Sequence, residues 1–225
     1  MNNNINERFE REQMSLTDWD TLLSAGWDRV GTYFFRRRFD HFSVPFLGQD
    51  VQVTTQLMPL RYRLWSYFEW SKSQRIVQRR NQDLRLVMRP TLIDDEKLNL
   101  FDAWYLARFK RGASIFTWLS DTEKPFPTFE IAMYKFDKLV ACSFFDVTAK
   151  AQYSTLAMYD PNEMKRSLGT FTLMAEIENA KKNLKPHHYP GHAYYENSMY
   201  EYKKKLPNAE GFDWEGQRWR TLRKY

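Results

Sequence analysis

The stretch from Trp70 to Ile93 carries Lys72, Arg75, Arg79, Arg80, Arg85 and Arg89 against the single carboxylate of Asp83. Cations at that density neutralise an anionic partner. On a short helix capped by Ser71 or Ser73, Arg75 and Arg79 stand one turn apart on one face, a spacing that suits successive phosphates or a carboxylate-rich peptide. The same run also reads as a solvated basic face. The histidines offer less. His187, His188 and His192 are close in sequence, but Pro190-Gly191 keeps them off a common helical face and no cysteine completes a ligand set, so no metal site is expected, and His41 reads as structural or superficial. Cys142 is the one cysteine, which excludes an internal disulfide and a Cys-based zinc or iron–sulfur site; its apolar neighbours predict an inert, buried thiol. Trp65, Tyr67, Phe68 and Trp70 read first as core and second as a base-stacking platform.

The elements that must carry these groups belong to a chain of 225 residues with 43% hydrophobic, 17% aromatic and 28% charged residues and a net charge of +6. That composition excludes collagen-like, disulfide-scaffold and wholly disordered classes, and its charge favours an anionic partner such as RNA or an acidic peptide. The start lacks an apolar h-region and no stretch reaches the length of a membrane span, so a soluble cytoplasmic protein is expected. Residues 1–14 read as a mobile tail. A helix from Thr17 to Ser24, strands over 30–39, 51–57 and 61–70, a basic helix ending near Asn81 and a strand over 84–88 follow. Then come a helix from Asp94 to Arg111 closed by Gly112, strands over 129–136, 139–147 and 153–159, a long helix from Asp160-Pro161 to Asn183, and a last helix from Glu196 to Leu206. No repeat and no linker appear, which predicts a compact α/β body with two lobes.

Ser71-Lys72-Ser73-Gln74-Arg75 followed by Arg79-Arg80-Asn81-Gln82-Asp83-Leu84 resembles the S-[RK]-S-Q-R-x-x-x-[RK]-R-N-x-D-L signature of the aminoacyl-tRNA–protein transferases, the arginyl-transferases and their bacterial leucyl-transferase relatives. Four further blocks match in order. Gly26-Trp27-Asp28-Arg29-Val30-Gly31 through Arg36 is similar to the family's G-[FW]-R-R-x-G-x-x-x-Y-[RK], with Asp28 at a usually basic place; Lys138-Leu139-Val140-Ala141 with Asp146-Val147 is similar to its G-x-L-V-A…D-V strand. Tyr159-Asp160-Pro161 with Arg166-Ser167-Leu168-Gly169-Thr170-Phe171 resembles F-D-P…R-S-L-G-T-F, and Tyr189-Pro190-Gly191 with Tyr202-Lys203 resembles Y-x-G-Y-[WY]-I…M-x-Y-K. The family's cysteines are absent: Arg37 to Ser43 occupy the place of its C-x-x-C pair, Asn197 falls near the late cysteine, and His192 and Ala193 replace an aromatic pair.

The resemblance implies a GNAT-like acyltransferase fold with a smaller N-terminal lobe, divided as a tail (1–14), a lobe with the basic motif (15–92), a transferase domain (93–207) and an extension (208–225). It implies an enzyme that takes an amino acid from an aminoacyl-tRNA to the α-amine of a protein or peptide, without cofactor, metal or covalent intermediate. An aminoacyl ester is already activated, so placing the amine, moving a proton and stabilising an oxyanion suffice. Lys72, Gln74, Arg75, Arg79, Arg80 and Asn81 would hold the tRNA end or an acidic acceptor, with Asp83 buttressing an arginine and Asp160 giving structural support. Tyr202 and Lys203 would orient the ester or relay the proton, and Arg166 with Ser167, Leu168, Gly169 and Thr170 would hold the donor. That last stretch also echoes, in Arg166 and Gly169, the Q/R-x-x-G-x-G/A loop with which GNAT enzymes bind CoA pyrophosphate, and Gly169 also suits close helix–sheet packing. The alternatives are therefore an acyl-CoA-dependent N-acyltransferase and a non-catalytic RNA- or peptide-binding relative.

Overall fold

The computed structural model describes residues 5–46, 49–119 and 125–222. The chain begins with β1 (Asn6–Glu10) and α1 (Leu16–Ser24), then β2 (Asp28–Val30) and β3 (Tyr33–Arg37), which with β1 make a small antiparallel sheet in the order β1-β3-β2. Residues 6–10, expected in a mobile tail, are therefore paired along β3, and the reason is aromatic: Phe9 stacks on Phe34 at 5.1 Å and tilts against Trp27. Ser15, two residues before the expected start, accepts the N–H of Asp18 to cap α1.

The main sheet is built from β4 (Phe39–Phe46), β5 (Gln49–Arg63), β6 (Arg85–Pro90), β7 (Thr128–Lys135), β8 (Lys138–Val147), β9 (Ala151–Tyr159), β10 (His187–Tyr189), β11 (His192–Tyr194), β12 (Ala209–Asp213) and β13 (Arg218–Thr221). Its path runs β13-β12-β5-β10-β9-β8-β7-β6, with β4 and β11 also paired to β5. The strand expected at 51–57 and the first three residues of the one expected at 61–70 form one long strand, β5, because Leu57, Leu60 and Tyr62 carry its buried, paired course through the gap between them, whereas residues 64–70 leave the sheet as an irregular segment. The expected boundaries after residues 92 and 207 cut across this sheet: β5 lies between β10 and β12, so the lobe and the extension share its hydrogen bonds with the body.

Along β8 successive side chains face opposite sides. Cys142 and Phe144 pack under α3 (Asp95–Phe109), and Ala141 and Phe145 pack under α4 (Leu168–Lys182), so the sheet centre is covered on both faces. Asp94 caps α3, and Lys110 rather than Gly112 closes it, in a left-handed conformation (φ 57°) that returns its N–H to Leu106. The helix expected to run unbroken from Asp160 instead makes a 3-10 turn over Pro161–Arg166, reverses at Ser167 (φ 57°), and restarts as α4. β9, α4 and the parallel strand β10 form a crossover that places a helix beside the middle of the sheet. The expected helix over 196–206 shrinks to the short turn α5 (Glu201–Lys204).

Candidate active site

A cleft of about 210 Å³ opens between α3, β9, α4 and the segment that ends in α5. Its walls are mostly aromatic: Trp104 and Phe109 from α3, Tyr159 from β9, Tyr200 just before α5 and Tyr202 within it. The polar groups converging on it are Arg108, Ser154, Thr172, Glu176 and Lys203. An apolar box with a few directed polar groups is the usual form of a small-ligand site.

Both residues expected to do chemistry, Tyr202 and Lys203, line this cleft. The Lys203 ammonium donates to the carbonyls of Pro190 (2.7 Å) and His192 (3.3 Å) and lies over the Tyr200 ring at 4.9 Å. Lysine has three donors, so two carbonyls leave one N–H without a hydrogen-bond acceptor among the described residues, beside the Tyr200 ring. Loss of hydration pulls its pKa down to about 8, against the weaker opposing pull of Asp28 and Glu176. Burial pushes the Tyr202 phenol up, so it stays protonated and able to donate. Tyr62 pins this turn from β5 by donating to the Lys203 carbonyl at 2.9 Å.

Other site residues were missed in the sequence. Arg108 reaches the Tyr159 hydroxyl (3.3 Å) and the Met199 sulfur (3.0 Å) and stacks near Trp104, Phe109 and Tyr200, with no carboxylate partner among the described residues. Its signal was the four-residue step from Trp104 on one face of α3. Glu176 is 1% exposed, accepts from Ser154, and lies 3.3 Å from His188. Gly169, Thr172 and Glu176 recur at helical spacing, and a carboxylate on the face that also buries Leu173, Ile177 and Ala180 was the available sign.

Arg166, expected to hold the donor, is occupied by the protein itself. Its guanidinium forms a two-pronged bridge to Asp83 (2.7 and 2.9 Å), a bond to Glu163 (2.8 Å) and one to the Arg80 carbonyl (2.7 Å). Asp83 is thereby paired to Arg166, which ties the 3-10 turn to α2 (Lys72–Arg80). Ser167 provides the left-handed reversal, Leu168 is buried, and Thr170 lies in the first turn of α4. Of this stretch only Gly169 lines the cleft; a Cβ there would come within 3.1 Å of the Tyr159 ring. Asp160 accepts from Lys138 (2.6 Å) and the Asn162 N–H (2.9 Å), a capping role.

The basic motif divides by burial. Lys72, Arg75, Arg79 and Arg80 are exposed on α2, Arg75 pairing with Glu69 at 3.0 Å and Arg80 reaching the Lys165 carbonyl at 3.3 Å. Gln74 and Asn81 are buried instead. Gln74 completes a capping box with Ser71 and donates to the Lys205 carbonyl (3.0 Å), while Asn81 donates to the carbonyls of Val77 and Arg166 (2.9 Å each), so both amides position α2 rather than face a ligand. Trp65 and Tyr67, read first as core, are 76% and 83% exposed beside this helix, whereas Phe68 and Trp70 pack against the α4 cluster.

Two departures from the family pattern meet in space. His192 Nδ1 lies 2.6 Å from Asp28, whose carboxyl is raised by burial but held below its usual range by His192, Tyr153 and the Arg29 N–H. Cys142 is buried under α3, and burial pushes its thiol well up.

An α/β chain with a cationic, aromatic cleft and no exposed thiol is a candidate for acyl transfer by direct attack on an activated ester. The family model for the arginine-tRNA-protein transferase C terminus matches residues 96–213, just over half of the chain, and the protein belongs to that family. An aspartate/glutamate leucyltransferase of Campylobacter jejuni is 28% identical over 173 residues, covering 72% of this chain and 65% of that protein. One of Nitrosococcus oceani is 25% identical over 220 residues, covering 93% of this chain and 84% of that protein. The chain thus aligns with just under two thirds of the Campylobacter relative's length. Among solved structures, the C-terminal domain of a putative lysylphosphatidylglycerol synthetase from Agrobacterium fabrum superposes with a TM-score of 0.48 at 13% identity, over 84% of this chain and 55% of that one.

Proposed function

We propose that this protein transfers an amino acid from a charged tRNA to the α-amine of a protein or peptide, by direct aminolysis of the aminoacyl ester on a GNAT-like body. The observation that carries this reading is Lys203, its ammonium held in the cleft wall by two backbone carbonyls and joined there by Tyr202. At neutral pH a lysine of pKa about 8 is mostly a cation. It stabilises the oxygen of the tetrahedral intermediate and supplies a proton to the ribose oxygen as the ester C–O bond breaks. Tyr202 donates to the same carbonyl region. No acyl-enzyme is needed, in keeping with the buried position of Cys142.

Leucine is the donor residue we favour, since the relatives are named aspartate/glutamate leucyltransferases and the aromatic walls suit an apolar side chain. An acidic N-terminal residue is the acceptor we favour, because Arg108 brings to the same cleft a cation with no carboxylate partner among the described residues. The exposed cations Lys72, Arg75, Arg79 and Arg80 would follow the tRNA backbone, with Gly169 admitting its 3′ end beside α4. The site of action would be the cytoplasm, where charged tRNA is made; no helix among the described residues is long and apolar enough to cross a membrane. The test is incubation with a mixed pool of charged tRNAs and peptides with different N-terminal residues. Leucine on aspartyl or glutamyl peptides is the expected product, and no transfer from any charged tRNA would overturn the reading.

A further inference from the structure

Behind the cleft wall, Ser154, Glu176 and His188 form a contiguous polar cluster that neither the basic motif nor the Tyr202-Lys203 pair uses. Ser154, half-buried, and Glu176 line the cleft; His188 is wholly buried behind them. The Ser154 hydroxyl donates to Glu176 Oε2, and His188 Nε2 lies 3.3 Å from that same oxygen and 3.4 Å from the Ser154 hydroxyl. The other ring nitrogen, Nδ1, is 3.1 Å from the carbonyl of Gln152. A carbonyl only accepts, so Nδ1 carries a hydrogen there, and the other ring nitrogen, Nε2, is turned toward the Glu176 carboxylate. A carboxylate and an imidazole nitrogen thus meet on one hydroxyl that faces the cleft, which is the geometry of a hydrogen-bonded relay.

We infer that Ser154, Glu176 and His188 are a proton-accepting relay for the acceptor amine. The inference rests on the aminoacyl-transfer reading. An N-terminal amine is largely an ammonium at neutral pH, since its usual pKa is about 7.7–8.0, and it cannot attack until one proton leaves. That proton passes to the Ser154 oxygen as the Ser154 hydroxyl hydrogen passes to Glu176, where it is shared with His188 and later lost to solvent. The nitrogen lone pair then forms the N–C bond. The second proton leaves the nitrogen after attack and restores the one Lys203 gives to the ribose oxygen when the C–O bond breaks. Base and acid are thereby separate groups on different walls of one cleft. Ser154 is the group that touches the amine; Glu176 and His188 act through it.

Single-turnover transfer with the charged tRNA and peptide found active in the pool experiment tests this. Glu176→Ala should lower the transfer rate constant about a hundredfold, within the range for a general base. Added acetate should restore part of it, and fluoroacetate, close to acetate in size but a weaker base, should restore much less. Rescue that ignores basicity, or no rescue of a folded variant, overturns the relay. Ser154→Ala removes only a half-buried hydroxyl and keeps the question answerable if the first variant does not fold. It should lower kcat by the same order, about a hundredfold, with KM little changed, and an unchanged kcat also overturns the relay. If the wild-type protein moves no amino acid, the transfer reading itself falls and the relay with it; if it does and these variants behave otherwise, only the relay falls.

Discussion

Replacing Lys203 by Met keeps the length and most of the packing of the side chain and removes its charge. In the folded chain the Lys203 pKa is drawn from 10.5 down to about 8. At about 1.36 kcal/mol per pKa unit, that drop is a penalty of about 3 kcal/mol for holding the cation in the folded protein at neutral pH. Because the folded value lies below the unfolded one, the unfolded chain binds more protons between them. Wild-type stability therefore rises with pH through that window, and the full penalty is present below about 8. Other titrating groups are common to both proteins, so the informative quantity is the difference in unfolding free energy between wild type and Lys203→Met, measured by urea denaturation from about pH 7 to about pH 10.5. It should swing toward wild type by about 3 kcal/mol, while wild-type transfer declines above about pH 8 as the acid is lost. A stability difference that stays flat across this range would refute the claim that Lys203 is desolvated by the cleft wall, and with it the reason for its acidity.

Replacing Arg75, Arg79 and Arg80 together by Ala should weaken tRNA binding and make its salt dependence shallower by nearly one ion per lost phosphate contact; an unchanged slope in the folded triple variant would mark α2 as a solvated face. Arg108→Met should raise KM for a peptide with an N-terminal aspartate far more than for one with an N-terminal alanine, and equal effects on both would remove Arg108 as the acceptor's carboxylate contact. Cys142→Ala should leave the transfer rate within about twofold of wild type while costing about 1–2 kcal/mol of stability through the cavity it leaves; a large rate loss would call for a covalent step.

Local structure was legible because short-range chemistry decides it. The Ser71 and Gln74 pair that caps α2, Asp94 at the start of α3, and the turn between β7 and β8 all rest on groups within a few residues of each other. The family motifs likewise led to Tyr202 and Lys203, which share the cleft. Roles that depend on burial were not legible. Arg166 looked like a ligand-binding arginine until Asp83, 83 residues away, met it in space, and Gln74 and Asn81 looked like surface contacts until the carbonyls of residues 205 and 166 took their amides. Ser167 carries the break in the long helix through a left-handed turn that nothing in its side chain announces. The cleft is wholly tertiary: Arg108, Ser154, Glu176 and Lys203 come from separate elements and converge only when α3, β9, α4 and α5 pack. The Lys203 pKa follows from the same packing, because removing water from an ammonium changes its acidity and no sequence spacing encodes how much water remains.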